Sequence, residues 1–186
     1  FIMGKEDTEL IANWAEEKCE LQIYLNGGTS NQQLSYDLSP KSTLSLVKPT
    51  KKGYTFTGWR VEGRNSNVKG NTFEMGSENT TIEAKWKSIN YKLTYDLKGG
   101  KSDNKSTYNI ETQSFRLINP EKKGYKFIGW TSKNNTKPKM DIIVPKGSIG
   151  NKEFTANYEL ISYDIVLDAN NNKYSSEAGV LFDKTK

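Results

Sequence analysis

The sequence predicts a strand-dominated chain, α+β or nearly all-β, built from tandem units of about 72 residues. A long internal repeat sets the unit. Apolar residues alternate with polar ones at period 2, and no stretch sustains the 3.6-residue period of a helix. The core material is aromatic: Leu, Ile, Val and Phe make up only about a fifth of the chain, near the compositional border of disorder. Seven Phe, ten Tyr and four Trp, with a net charge of only +5, place it on the folded side of that border.

The repeat is read without gaps at several places. Phe1-Ile-Met-Gly-Lys-Glu-Asp-Thr-Glu-Leu-Ile-Ala-Asn-Trp14 recurs 72 residues later as Phe73-Glu-Met-Gly-Ser-Glu-Asn-Thr-Thr-Ile-Glu-Ala-Lys-Trp86, identical at seven of fourteen positions. A looser third ending is Phe154-Thr-Ala-Asn-Tyr158. Pro49-Thr-Lys-Lys-Gly-Tyr-Thr-Phe-Thr-Gly-Trp59 matches Pro120-Glu-Lys-Lys-Gly-Tyr-Lys-Phe-Ile-Gly-Trp130 at eight of eleven positions, and Leu25-Asn-Gly-Gly28 matches Leu97-Lys-Gly-Gly100. The expected organisation is the closing strand of a preceding repeat over 1–14, complete repeats over 15–88 and 89–159, and the opening part of a following repeat or domain over 160–186. The chain opens on Phe1 rather than Met and reads as an excerpt of something longer.

The first strand of each unit is Cys19, Leu21, Ile23 and Leu25 alternating with polar neighbours, then Tyr91, Leu93, Tyr95 and Leu97. Each run stops at Gly-Gly, where positive φ is cheap, and a return strand near Leu34–Leu38 or Thr107–Ile110 completes a hairpin. A third such run over 163–169 puts Asn170–Asn172 at its turn. In the middle block, Pro49 or Pro120 sets an extended approach and Lys-Lys-Gly turns into a short strand. There Tyr54, Phe56 and Gly58 share one parity, as do Tyr125, Phe127 and Gly129, while Trp59 and Trp130 fall on the other. Either the strand ends at the glycine or a bulge re-aims the indole into the core. The polar stretch from Trp59 to Phe73 holds either one short helix or a loop. Each unit closes on an alternating strand ending in Trp86 or Tyr158.

Composition removes several chemistries. With no histidine there is no His-based triad, His zinc site or His general base. The lone Cys19 rules out an intrachain disulfide framework and a thiolate cluster, and its alignment with Tyr91 makes it a small buried hydrophobe. No carboxylate pair recurs in a pocket-like setting. The expectation is no enzyme, no catalytic residue, no cofactor and no metal. No apolar run approaches the length of a membrane span.

Lys-x-Gly-Tyr-x-Phe-x-Gly-Trp, followed by an alternating strand ending Ala-Lys-Trp, resembles the Listeria–Bacteroides repeat, also called the internalin B-repeat. The resemblance covers both full units and both partial ones. It implies small β-grasp (ubiquitin-like) modules in an elongated tandem array, in cell-surface or secreted proteins mainly of Gram-positive bacteria. The second unit departs from the first: it has Pro138-Lys-Met-Asp-Ile-Ile-Val-Pro-Lys-Gly147 before its last strand and ends in Tyr158 rather than Trp, so a local difference is expected there.

Two readings of function follow. Trp59 and Trp130 serve as core anchors rather than stacking platforms for a ligand, because so small a unit needs its largest residues buried. Trp86 either joins the core or packs between repeats. The leading function is a non-catalytic, extracellular spacer or stalk with weak protein or glycan contacts and with neighbouring repeats as its partners. The rival is an adhesive module that binds a host or cell-wall polyanion through Lys51, Lys52, Lys122 and Lys123, which recur on matching turns. Nucleic acid is not expected: 24 of 27 basic residues are Lys, and no nucleic-acid motif is legible.

Overall fold

The computed structural model describes residues 11–13, 15, 17–163, 166–169 and 172–175, the last two stretches by their backbone. Of the closing strand expected over 1–14, only residues 11–13 lie within the described residues, and they form no strand. The chain divides into two compact units, Phe1–Lys87 and Ser88–Lys186.

In unit 1 the strands are β1 (Cys19–Tyr24), β2 (Ser35–Leu38), β3 (Thr43–Ser45), β4 (Tyr54–Glu62), β5 (Asn67–Lys69), β6 (Thr72–Glu74) and β7 (Thr80–Ser88). The main sheet has the order β2-β1-β7-β4, and a second sheet has the order β3-β6-β5. β1 pairs antiparallel with β2 and parallel with β7, Leu21 facing Thr80 and Tyr24 facing Glu83. A central parallel pair demands a long crossover, and the small sheet is part of it. Its Phe73, with Met75 just after β6, meets Leu21, Ile23 and Ile82 of the main sheet in one buried cluster, with Cys19 and Leu46 included and Trp59 half-buried against it.

Unit 2 contains β8 (Tyr91–Asp96), β9 (Thr107–Tyr108), β10 (Phe115–Arg116), β11 (Tyr125–Ser132), β12 (Asn135–Lys139), β13 (Ile143–Val144) and β14 (Lys152–Leu160). Its main sheet has five strands in the order β12-β11-β14-β8-β9, again with a parallel centre, β8 with β14. Leu93, Tyr108, Leu117, Trp130, Val144, Phe154 and Ala156 form its core. Later in the sequence, β15 (Val166–Ala169) and β16 (Asn172–Ser175) pair antiparallel, Ala169 facing Asn172, which is the hairpin the alternation predicts.

Strand dominance holds, but the α component does not: no helix occurs among the described residues. The stretch after Trp59 instead continues as β4, then turns through Asn65 (φ 59°) and folds β5 onto β6 across Gly70 (φ 59°). Left-handed residues at that spacing interrupt any helix.

The expected return strands form, β2 antiparallel to β1 and β9 antiparallel to β8, but each connection is longer than a single tight turn. Asn26 and Gly27 (φ 49° and 80°), and Lys98 and Gly99 (φ 48° and 83°), make tight turns closed by Gly28 N–H to Leu25 O and Gly100 N–H to Leu97 O. Positive φ at both central residues is the primed-turn signature. In unit 2 the Asp96 carboxylate pairs with the Lys98 ammonium and also accepts from the Lys98 amide, which holds the Asp96 pKa below the ordinary carboxylate value. These turns do not lead straight into β2 or β9. The chain first bridges Thr29 to Thr50, or Lys101 to Glu121, and only then returns.

The expected local difference before the last strand is a change of sheet. Phe115 faces Val144 as Leu44 faces Phe73, so Pro138 and Pro145 occupy the positions of Asn67 and Glu74, which face each other in β5–β6. Two prolines there remove two N–H donors from the ladder. The segment pairs with β11 instead, Trp130 facing Lys139 and Ser132 facing Asn135.

Candidate functional site: the lysine turn and its aromatic seat

The recurrent Lys-Lys-Gly turn is closed by the Tyr54 amide donating to Lys51 O and the Tyr125 amide donating to Lys122 O, both at 3.1 Å. Gly53 and Gly124 (φ 78° and 81°) supply the left-handed residue that this turn needs. It lies beside the Asn26-Gly27 or Lys98-Gly99 turn through the Thr29–Thr50 or Lys101–Glu121 bridge.

The first lysine of each turn is seated over two rings. Lys51 Nζ stands 4.5 Å from the Tyr54 ring centre and 5.8 Å from that of Trp86, and donates to Asn26 O at 2.8 Å. Lys122 Nζ stands 4.0 Å from Tyr125 and 5.3 Å from Tyr158. Such cation–π contacts contribute about 0.5–1 kcal/mol at exposed sites. The second lysines, Lys52 and Lys123, are exposed.

The ring that closes the seat is itself tied down. Trp86 Nε1–H donates to Leu25 O at 2.9 Å, and the Tyr158 hydroxyl donates to Leu97 O at 3.0 Å. Burial pushes the Tyr158 phenol above its ordinary pKa. Gly28 and Gly100 allow this approach: a Cβ at Gly28 would collide with Cζ2 of Trp86, and one at Gly100 with the Tyr158 hydroxyl. The sequence signal for this function of the two glycines was present in the matched Leu-x-Gly-Gly blocks but pointed only to a turn.

The aromatic core candidates form a ladder behind the seat. Phe56 meets Trp59 and Trp86 edge-on at 5.2 and 5.6 Å, and Phe127 meets Trp130 and Tyr158 at 5.4 and 5.7 Å. Tyr54 and Tyr125 are half-buried. A bulge between Phe127 and Gly129 changes the parity of β11 and turns Trp130 inward. Trp130 is 0% exposed, touches Tyr95 and Phe154, and donates from Nε1 to Asn119 Oδ1 at 3.1 Å. Trp59 has only Ile23 and Ile82 at the places of Tyr95 and Phe154, lacks a β12 over it, and stays half-buried. The backbone shows the same contrast. Gly58 and Gly129 have φ of 132° and 135°, but a Cβ at Gly129 would lie 2.6 Å from Lys139 N, while one at Gly58 would meet nothing within 4 Å.

In unit 2 the seat opens onto a shallow groove of about 720 Å³ lined by Gly99, Lys101, Glu121, Lys122, Lys123 and Tyr125, with Pro120 and Phe127 adding apolar lining. No group of His, Cys, Asp or Glu suited to holding a metal ion occurs among the described residues.

Residues 24–85 and 91–157 each match the Listeria–Bacteroides repeat domain. The chain is 29% identical over 184 residues to a protein of Evansella cellulosilytica named "Putative Gly-rich membrane protein", a match spanning 95% of this chain and 21% of that one. It is 33% identical over 115 residues to Internalin H of Listeria monocytogenes, spanning 59% of this chain and 20% of the relative. The chain thus spans about a fifth of the length of these curated relatives. With the domain matched in both units, over most of the length that carries the turn and the ladder, the chain belongs to the Listeria–Bacteroides repeat family.

Proposed function

We propose that this chain is a non-catalytic repeat segment of a bacterial cell-surface protein, a spacer that carries other parts of its parent and makes only weak protein or glycan contacts. The carrying observation is that the recurrent features are spent on the fold. The first lysine of each turn lies on its own aromatic rings, the closing Trp or Tyr is hydrogen-bonded to its own unit's backbone, and each unit has its own core. The relatives named above, an internalin and a membrane protein, support an extracellular, surface-attached setting in a Gram-positive bacterium. The sheet order with a parallel central pair supports a β-grasp reading in which a small sheet takes the place of the usual helix.

A binding survey of the full chain against glycan arrays and intact cells tests the spacer reading. It expects no saturable, salt-resistant complex. One that survives moderate salt would make the chain an adhesive module instead.

A further inference from the structure

The lysine turn of unit 2 differs from that of unit 1 in ways that change what it can hold. In unit 1 the Lys51 ammonium is satisfied by Asn26 O as well as by its rings. In unit 2 the Lys122 ammonium keeps the two-ring seat but donates to no acceptor among the described residues. Lys101 stands where unit 1 has Thr29, and with the exposed Lys123 it brings two further ammonium groups to the groove. Neither forms an ion pair among the described residues, and Glu121 is the one carboxylate on the lining.

We propose that this groove binds one stretch of a linear polyanion that carries spaced phosphate or sulfate groups on a sugar or polyol chain. A lysine held over two rings has already lost much of the rotamer freedom that binding an anion would otherwise cost. Three ammonium groups against one carboxylate leave the groove cationic. Pro120, Tyr125 and Phe127 give the carbon skeleton of the ligand an apolar wall. The groove is shallow and open, which suits a segment of a chain rather than an enclosed small molecule. This inference rests on the weak-contact reading above; it adds the ligand class and confines the site to one unit.

The test is an NMR amide-shift titration of the full chain with a heparin oligosaccharide and, separately, a glycerol-phosphate oligomer, at low and moderate salt. The expected shifts fall on Gly99, Lys101, Lys122 and Tyr125, and not on Gly27, Thr29, Lys51 and Tyr54. Lys101→Gln and Lys123→Gln should each weaken binding several-fold and Glu121→Gln should tighten it, whereas Lys51→Gln and Lys52→Gln should leave it unchanged. Preference for one oligomer identifies phosphate or sulfate as the group read. Equal shifts in both units, indifference to Lys101→Gln and Lys123→Gln, or no shift with either oligomer overturns the site and leaves the spacer reading standing. Salt-resistant binding with the predicted residue pattern supports the site and overturns the weak-contact reading.

Discussion

Trp86 and Tyr158 hold the same place with different chemistry: the indole N–H of one and the hydroxyl of the other each donate to the carbonyl that begins the glycine turn of their own unit. The closing strand is thereby tied to the end of the opening strand. The ring then serves as the second face of the lysine seat. A substitution that looks drastic in sequence is conservative in structure, because a planar ring with a polar tip is all the site requires.

Removing that polar tip isolates the bond. Tyr158→Phe should cost about 1 kcal/mol and no more, because Leu97 O keeps the Gly100 amide as a donor. Denaturant unfolding measures it; a loss near zero would mean that the hydroxyl contributes nothing beyond its ring.

The glycine beneath the ring is the more severe site. Gly100→Ala drives a methyl group into the Tyr158 hydroxyl, and Gly28→Ala drives one into the Trp86 ring. Each should destabilise its own unit by about 1–3 kcal/mol, the usual range for overpacking. The double variant Gly100→Ala with Tyr158→Ala should recover part of the clash energy, and a strictly additive double variant would remove close approach as the cause.

The two middle tryptophans should behave unequally. Trp130 is fully buried among Tyr95, Phe127 and Phe154, so Trp130→Ala should cost about 3–5 kcal/mol, comparable to the whole stability of a small module. Half-buried Trp59 should cost less. Thermal unfolding followed by NMR should show unit 2 lost in Trp130→Ala while unit 1 signals persist. Equal melting losses for the two variants would contradict the burial difference.

Alkali should act on unit 2. Burial raises the Tyr95 phenol to about 12 and pushes Tyr108 and Tyr158 upward, with Tyr91 adding to the effect at Tyr108. The folded unit therefore holds these protons more tightly than the unfolded chain does. The stabilisation is complete below about pH 10, the ordinary tyrosine value, and is lost as the pH rises through the folded values toward about 12. Tyrosinate absorbance and far-ultraviolet circular dichroism, followed together, should report ionisation and loss of strand structure in the same window. Full ionisation with the strands intact would show that these phenols are not held by the fold.

By itself, the sequence determined the repeat, the alternating strands that open and close each unit, the absence of histidine chemistry and the odd parity of Trp59 and Trp130, which a bulge resolves in β11. These are local properties: period-2 alternation and a residue's parity are set within a few positions of the chain. Tertiary structure alone decided that the stretch after Trp59 forms strand rather than helix, that β12 joins the main sheet where β5 does not, and that Lys51 and Lys122 lie over paired rings. Pro138 and Pro145 are plain in the sequence, yet their effect appears only once register sets them at the two facing positions of a ladder. Gly28 and Gly100 read as turn residues until strands about 60 residues apart bring Trp86 and Tyr158 down upon them. Contacts of that separation depend on how the whole unit closes, and closure is a property of the packed sheets, which no local pattern carries.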